Sequence, residues 1–380
     1  MTARRPRVAV DLLYFTGKRG GTETYVRRVL PTIAARSPEL DLVAIANTTA
    51  APTLRDWFPG EVRTLPIDGE FRPLWALAEY VAVAPAAARA DADLLWCPAN
   101  FGPPGGRVPR LVTLHDAIAF EHPNPQVSGA TRAVTADVVR RAARGASHLL
   151  TDSEDAAAAI VRSLGIDRSR ITPVALAGSV PTPVDDPAGH LAELGLQPGR
   201  PLVLSTGNRL PHKNFDGLLR AVATIPAEER PQVAITGSHG PDPLRALVAA
   251  LGLESDVHLL GWVSHEQLES LYQVANVYVC PSLVEGFGLP VLDAMARGTA
   301  VLANDIAVLR EVGDSAARYA DARDPEAFGV ALRSLLSDAD TRRAMHAAGI
   351  VRAGQFSWHR AAEQTGDVIL DVLARSPRRR

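Results

Sequence analysis

From residue 7 onward the chain alternates short runs rich in Val, Ile and Leu with longer segments of helical period, and the alternation halts once and restarts. Apolar runs too short for helices are strands buried on both faces, and strands separated by helices pair in parallel. The class is therefore α/β. Strands are predicted near 7–10, 41–46, 62–65, 94–97, 111–114, 148–150 and 171–174, then near 202–205, 233–236, 257–260, 277–280 and 300–303. The interruption is Pro181-Thr-Pro-Val-Asp-Asp-Pro187, whose three prolines withhold ladder donors, so it reads as a linker. A length of 380 residues also exceeds what one core organises, and the domains are expected at 1–180 and 181–357. The last stretch, from Trp358, is a helix by the spacing of Ala361, Ala362, Val368, Ile369, Val372 and Leu373, and the tail Pro377-Arg-Arg-Arg380 is expected to fray. The strand ends Leu94-Leu-Trp-Cys-Pro98 and Val277-Tyr-Val-Cys-Pro281 look alike, which fits either duplication or two buried strands ending in turns.

Forty basic against 42 acidic residues leave a net charge of −2, without the cationic excess that a nucleic acid backbone requires. Cys97 and Cys280 are too few for a disulfide framework and match no metal-ligand spacing, so a reducing cytoplasm is expected. The basic start of the chain is followed by an apolar stretch that breaks at Asp11, and no run approaches the ~18 apolar residues of a membrane span. Arg140, Arg141 and Arg144 form a short basic patch that reads as solvated, so membrane association is expected to be at most peripheral.

Parallel sheets bind ligands at the carboxyl ends of their strands, where loops meet helix N-termini with unpaired N–H groups. After the first strand comes Gly17-Lys-Arg-Gly20-Gly21, in which Gly20 and Gly21 read either as backbone contacts to a phosphate or as a flexible turn. The loop matches neither the dinucleotide fingerprint nor the P-loop. His115-Asp116 ends another strand, placing an imidazole and a carboxylate where a substrate would sit, the alternative being a turn-capping pair. Asp152-Ser153-Glu154-Asp155 reads as a helix cap. In the second half Arg209 and Lys213 stand four apart at a helix start, where the dipole repels cations, so something anionic should offset them: a diphosphate or, otherwise, solvent. The segment from Cys280 to Gly298 carries Glu285 in a glycine-flanked loop, Pro290 at a helix start and Asp293 near the first turn.

Together these segments resemble the retaining GT-B glycosyltransferases, specifically glycosyltransferase family four. The likeness spans nearly the whole chain: Gly20-Gly21, His115-Asp116, Arg209 with Lys213, Glu285 to Asp293, Glu311 in Leu309-Arg-Glu-Val-Gly, and Phe356-Ser-Trp358. It implies two Rossmann-like domains facing across a cleft, with the helix 358–380 crossing back to the N-terminal domain. It also implies a nucleotide diphosphate sugar donor, UDP- or GDP-linked, held by the second domain, and a glycan, lipid-linked or small-molecule acceptor held by the first. Carried over, Arg209 and Lys213 grip the diphosphate, amides at Phe287, Gly288 and Leu289 meet phosphate and sugar oxygens, Glu285 binds sugar hydroxyls, and Asp293 binds the ribose. Backbone at Trp262-Val263 meets the base. The chain departs from the family's E-x7-E pattern, since Asp293 is one methylene shorter than Glu.

The resemblance further implies that His115 steadies the sugar while a donor phosphate oxygen takes the acceptor's proton, with Asp116 orienting His115 or touching the acceptor. No metal and no cofactor are expected, because cations and helix N-termini stabilise the leaving diphosphate. Acceptor loops are expected near Phe71-Arg-Pro-Leu-Trp75, Asn100-Phe101-Gly102 and Phe120-Glu-His-Pro123. The competing readings are a silent nucleotide-sugar-binding subunit and another GT-B enzyme such as an epimerase or phosphorylase. The base, the acceptor and the oligomeric state are not encoded in these motifs.

Overall fold

All twelve predicted strands are present in a computed structural model that describes residues 4–17, 20–70, 72–125 and 127–375, the side chains of 72–76 excepted. The first sheet contains β1 (Arg7–Leu12), β2 (Asp41–Ala46), β3 (Glu61–Thr64), β4 (Leu94–Cys97), β5 (Arg110–Thr113), β6 (His148–Thr151) and β7 (Ile171–Pro173). The second contains β8 (Leu202–Thr206), β9 (Gln232–Thr236), β10 (Val257–Gly261), β11 (Val277–Cys280), β12 (Ala300–Asn304) and β13 (Arg318–Ala320). Sequence reading misses β13, a three-residue edge strand whose residues are exposed or half-buried and so carry no apolar run.

Every strand pair recorded is parallel. The orders are β3-β2-β1-β4-β5-β6-β7 and β10-β9-β8-β11-β12-β13, the same winding with one extra strand in the first. In each, the order reverses beside the first strand, at β1/β4 and at β8/β11, and such switch points open a crevice at the carboxyl edge. The two Cys-Pro segments are β4 and β11, which hold the same place in their sheets, and both cysteines are free and buried. All four residues of each strand are buried, as the apolar runs require.

The chain divides into two compact units, 1–176 with 357–380, and 177–356. The proline-rich segment 181–187 therefore lies within the second unit rather than between the two. The reason is local: Ser179 and Thr182 already bond to Asp293 and Glu269 of that unit. Its core joins strand residues Val203, Ile235, Val277 and Leu302 to Leu218, Leu219, Phe328 and Leu332 of flanking helices, each side chain contributing about 1.5–3 kcal/mol by burial.

The last helix, Trp358–Arg375, belongs to the first unit and packs on the helix Gly21–Arg36. Its buried Ala361, Ala362, Ile369 and Val372 form the predicted apolar face. Tyr25 Oη and Thr365 Oγ1 lie 3.4 Å apart across this contact, and Arg36 pairs with Glu363 at its margin. No helix among the described residues is long and apolar enough to cross a membrane.

Candidate functional site

Lys213 and Glu285 meet at the β8/β11 switch point, Nζ donating to Oε1 at 2.7 Å. Local chain features bring them together. Asn214 adopts a left-handed conformation (φ 52°), and its Nδ2 donates to the carbonyls of Pro281 (3.2 Å) and Ala322 (3.0 Å). Leu283 N donates to the His212 carbonyl at 2.7 Å, so the loops after β8 and β11 are stitched on both sides of the pair. Asn304 extends the stitching to β12 by donating to the Ser282 carbonyl at 2.9 Å. The side chains are 17% and 9% exposed, a largely desolvated pair.

Three residues past Glu285, Gly288 has φ 102°, and a Cβ there would stand 2.9 Å from Leu309 Cδ2, so only glycine fits. It precedes the helix Leu289–Ala296, in whose first turn Pro290 has no N–H and Val291 N donates to the Gly288 carbonyl at 2.9 Å, which leaves the amides of Gly288 and Leu289 at the helix N-terminus. Phe287 is buried edge-on against Phe356 at 5.9 Å and fixes the approach to that N-terminus. At the neighbouring edge, Val263 is half-buried beside Trp262, which is 71% exposed and stacked on His239 at 4.9 Å.

Arg209, expected at the diphosphate, is tied to side-chain and backbone acceptors of its own unit. Its guanidinium turns inward, 6% exposed, with Asp242 Oδ2 accepting from Nε at 2.9 Å and pairing with Nη2 at 2.8 Å. Nη1 donates to the carbonyls of Gly207 and Thr236, and Nη2 to that of Ile235. Four of its five N–H donors are thus hydrogen-bonded within the protein. Each of the two cations is thus paired with a carboxylate of the protein, Arg209 with Asp242 and Lys213 with Glu285.

Asp293 lies in the helix Leu289–Ala296, where its Oδ1 accepts from Ser179 N (2.6 Å) and Ser179 Oγ (2.8 Å). Burial raises its carboxyl above the ordinary range, against the lowering effect of the Ser179 bonds. Glu311 contributes its carbonyl, which accepts from Arg352 Nη2 at 2.6 Å.

In the first unit His115 follows β5, and its Nδ1 lies 3.0 Å from both carboxylate oxygens of Asp152. Nε2 is 3.0 Å from the Pro98 carbonyl, and the backbone N donates to Asn100 Oδ1 at 2.7 Å. Both ring nitrogens face acceptors, an arrangement suited to the imidazolium. Burial alone would push the imidazole down, but Asp152, aided by the Pro98 carbonyl and Asp116, raises it. Tyr25 meets the ring edge-on at 5.2 Å.

The orienting carboxylate is therefore Asp152, which sequence reading left in a cap, and Asp116 instead accepts from Ile118 N at 2.8 Å in a tight turn. The signal was register: β5 and β6 pair Leu111 with His148, and four further residues bring His115 level with Asp152. Ser153 does cap its helix, accepting from Ala156 N at 3.0 Å. Gly20 precedes the helix Gly21–Arg36 with no side-chain cap, and a Cβ on Gly20 or Gly21 would meet nothing within 4 Å. Lys18, Arg19, Phe71 and the tail Pro377–Arg380 lie outside the described residues, as do the side chains of 72–76 in the expected acceptor loop.

Among the described residues, no group of three His, Cys, Asp or Glu could hold a metal ion. Residues 190–352 match the family Glycosyl transferases group 1, and residues 20–177 match the Glycosyl transferase 4-like domain. O-antigen chain mannosyltransferase B of Escherichia coli is 30% identical over 77% of this chain and 76% of its own length. D-inositol 3-phosphate glycosyltransferase of Nocardia farcinica is 29% identical over 92% and 84%. Anabaena HepE, solved in complex with UDP-glucose, superposes with a TM-score of 0.71 at 16% identity, covering 96% of this chain and 99% of that one. The chain therefore belongs to the group 1 glycosyltransferases and is a glycosyltransferase of GT-B fold.

Proposed function

We propose that this protein is a retaining, metal-independent glycosyltransferase of the cytoplasm that moves a sugar from a UDP- or GDP-linked donor to a hydroxyl of a glycan, lipid-linked or small-molecule acceptor. The observation that carries this reading is the Lys213–Glu285 pair, held at the β8/β11 switch point three residues before a glycine-started helix. Cleavage of the donor leaves negative charge on the diphosphate and positive charge at the anomeric carbon. The Lys213 ammonium and the first-turn amides at Gly288 and Leu289 offset the former, preorganised and partly desolvated. Glu285 accepts from sugar hydroxyls through its second oxygen, and Asp293 accepts from the ribose. The backbone at Val263 contacts the base.

The first unit binds the acceptor, and there Asp152 and the Pro98 carbonyl hold the His115 ring in place, where it steadies the sugar. A phosphate oxygen of the donor takes the acceptor's proton on the same face, which preserves the anomeric configuration. The UDP-glucose bound by HepE and the glycosyl transfers named for the two relatives support a nucleotide sugar here. The test is incubation with UDP-, GDP- and dTDP-sugars and a panel of acceptors, reading the product anomer by NMR. Retention in metal-free buffer is the expected result. Inversion, or a strict metal requirement, would overturn the corresponding part of the reading.

A further inference from the structure

Asp293 makes its close polar contacts through one oxygen. Ser179 N, Ser179 Oγ and, at 3.9 Å, Arg297 Nη1 all approach Oδ1. The serine hydroxyl has a single proton, and its direction is fixed from behind. Arg297 Nη2 donates to Ser179 Oγ at 3.1 Å, so the hydroxyl accepts from the arginine and donates to the aspartate. Arg297 is itself immobile: 2% exposed, paired with Glu269 through Nε at 2.8 Å and through Nη2, and bonded by Nη1 to the Asp293 carbonyl at 2.9 Å. Glu269 returns to the same segment, accepting from Thr182 N at 3.3 Å.

The segment is pressed onto the helix by Gly178, where a Cβ would stand 3.0 Å from Asp293 Oδ1 and 3.2 Å from the Leu292 carbonyl carbon. Any larger residue would push Ser179 away. The carboxylate is 24% exposed, with Oδ1 committed to Ser179 and Oδ2 left to accept.

We propose that Ser179 is a positioning residue for the donor ribose: by occupying Oδ1 it aims Oδ2 of Asp293 at the ribose diol, and so compensates for the side chain's missing methylene. This rests on the donor reading above. Binding of UDP and GDP, and of their 2′,3′-dideoxy forms, is measured by calorimetry on the full chain and on Ser179→Ala and Ser179→Thr. For whichever ribonucleotide binds, Ser179→Ala is expected to weaken affinity roughly 5- to 10-fold, the scale of one ordinary hydrogen bond, and Ser179→Thr to restore it. The dideoxy form should bind wild type and Ser179→Ala within about twofold of each other, since the lost alignment serves hydroxyls that it lacks. In transfer assays the donor KM should rise with little change in kcat. Equal weakening of ribo and dideoxy forms would reduce Ser179 to a structural role, and no weakening of either would overturn the inference while the donor reading stands. Failure of wild type to bind either nucleotide would overturn both.

Discussion

At the switch point of the second sheet an ion pair, Lys213 with Glu285, stands partly open, whereas at that of the first sheet two acids are sealed away. Asp11, next to last in β1, lies beside Glu79 and the Cys97 thiol, with Glu79 1% and Asp11 2% exposed. Burial pushes the Glu79 carboxyl well up and raises Asp11, so this site favours the neutral form. The first sheet instead places its acid–base pair further along, where β5 and β6 set His115 against Asp152. One winding thus serves two ends: a central crevice that holds an ion pair in one unit, and one lined by buried acids whose ionisation is disfavoured in the other.

This contrast can be broken by substitution. The largest effect is expected from Arg209→Ala, which leaves the Asp242 carboxylate buried without its partner and should cost about 3–5 kcal/mol of stability. Chemical denaturation measures it, and an unchanged midpoint would mean that Arg209 is not the internal tie described. Lys213→Ala should fold normally and lose about 100- to 1,000-fold in transfer rate, the effect of removing one preorganised charge. Wild-type turnover would remove the second unit's crevice from the mechanism.

Asp152→Asn should cost about tenfold in rate, the scale of one lost orienting contact. It also has a pH signature. Because His115 is raised in the fold, its pairing stabilises the native state fully below the unfolded imidazole value, and the gain is lost as pH rises through the raised one. The variant should lack that part of the stability profile.

Glu79→Gln should have the smallest effect, a change of slope. Glu79 is raised in the fold, so the native state holds a proton that the unfolded chain releases, and stability falls as pH climbs above the ordinary carboxylate range. The amide cannot ionise, so melting curves against pH should be flatter in the variant. An identical slope would mean that Glu79 is already charged in the fold.

What the sequence revealed, and what it hid, follows from the range of each interaction. Leu94–Cys97 and Val277–Cys280 are legible because every residue in them is buried, which writes an uninterrupted apolar run. Arg318–Ala320, at an edge, writes none. The loops bearing Lys213, Glu285 and Gly288 could be found because glycine, proline and charge cluster there within a few residues. The partners could not be found in the same way. Asp152 lies 37 residues from His115, Asp242 lies 33 from Arg209 and Ser179 lies 114 from Asp293. Spacing along the chain shows that a cation needs an anion; only strand order and register decide which one it receives.

The central claim is that a nucleoside diphosphate occupies the crevice of Lys213 and Glu285, and calorimetric titration of UDP and GDP into wild type and Lys213→Ala tests it most directly. The account predicts that one nucleotide binds wild type and that the variant binds it at least ~30-fold more weakly, as loss of a charged contact to phosphate requires. Equal affinity for the two proteins, or no binding to wild type, would contradict it.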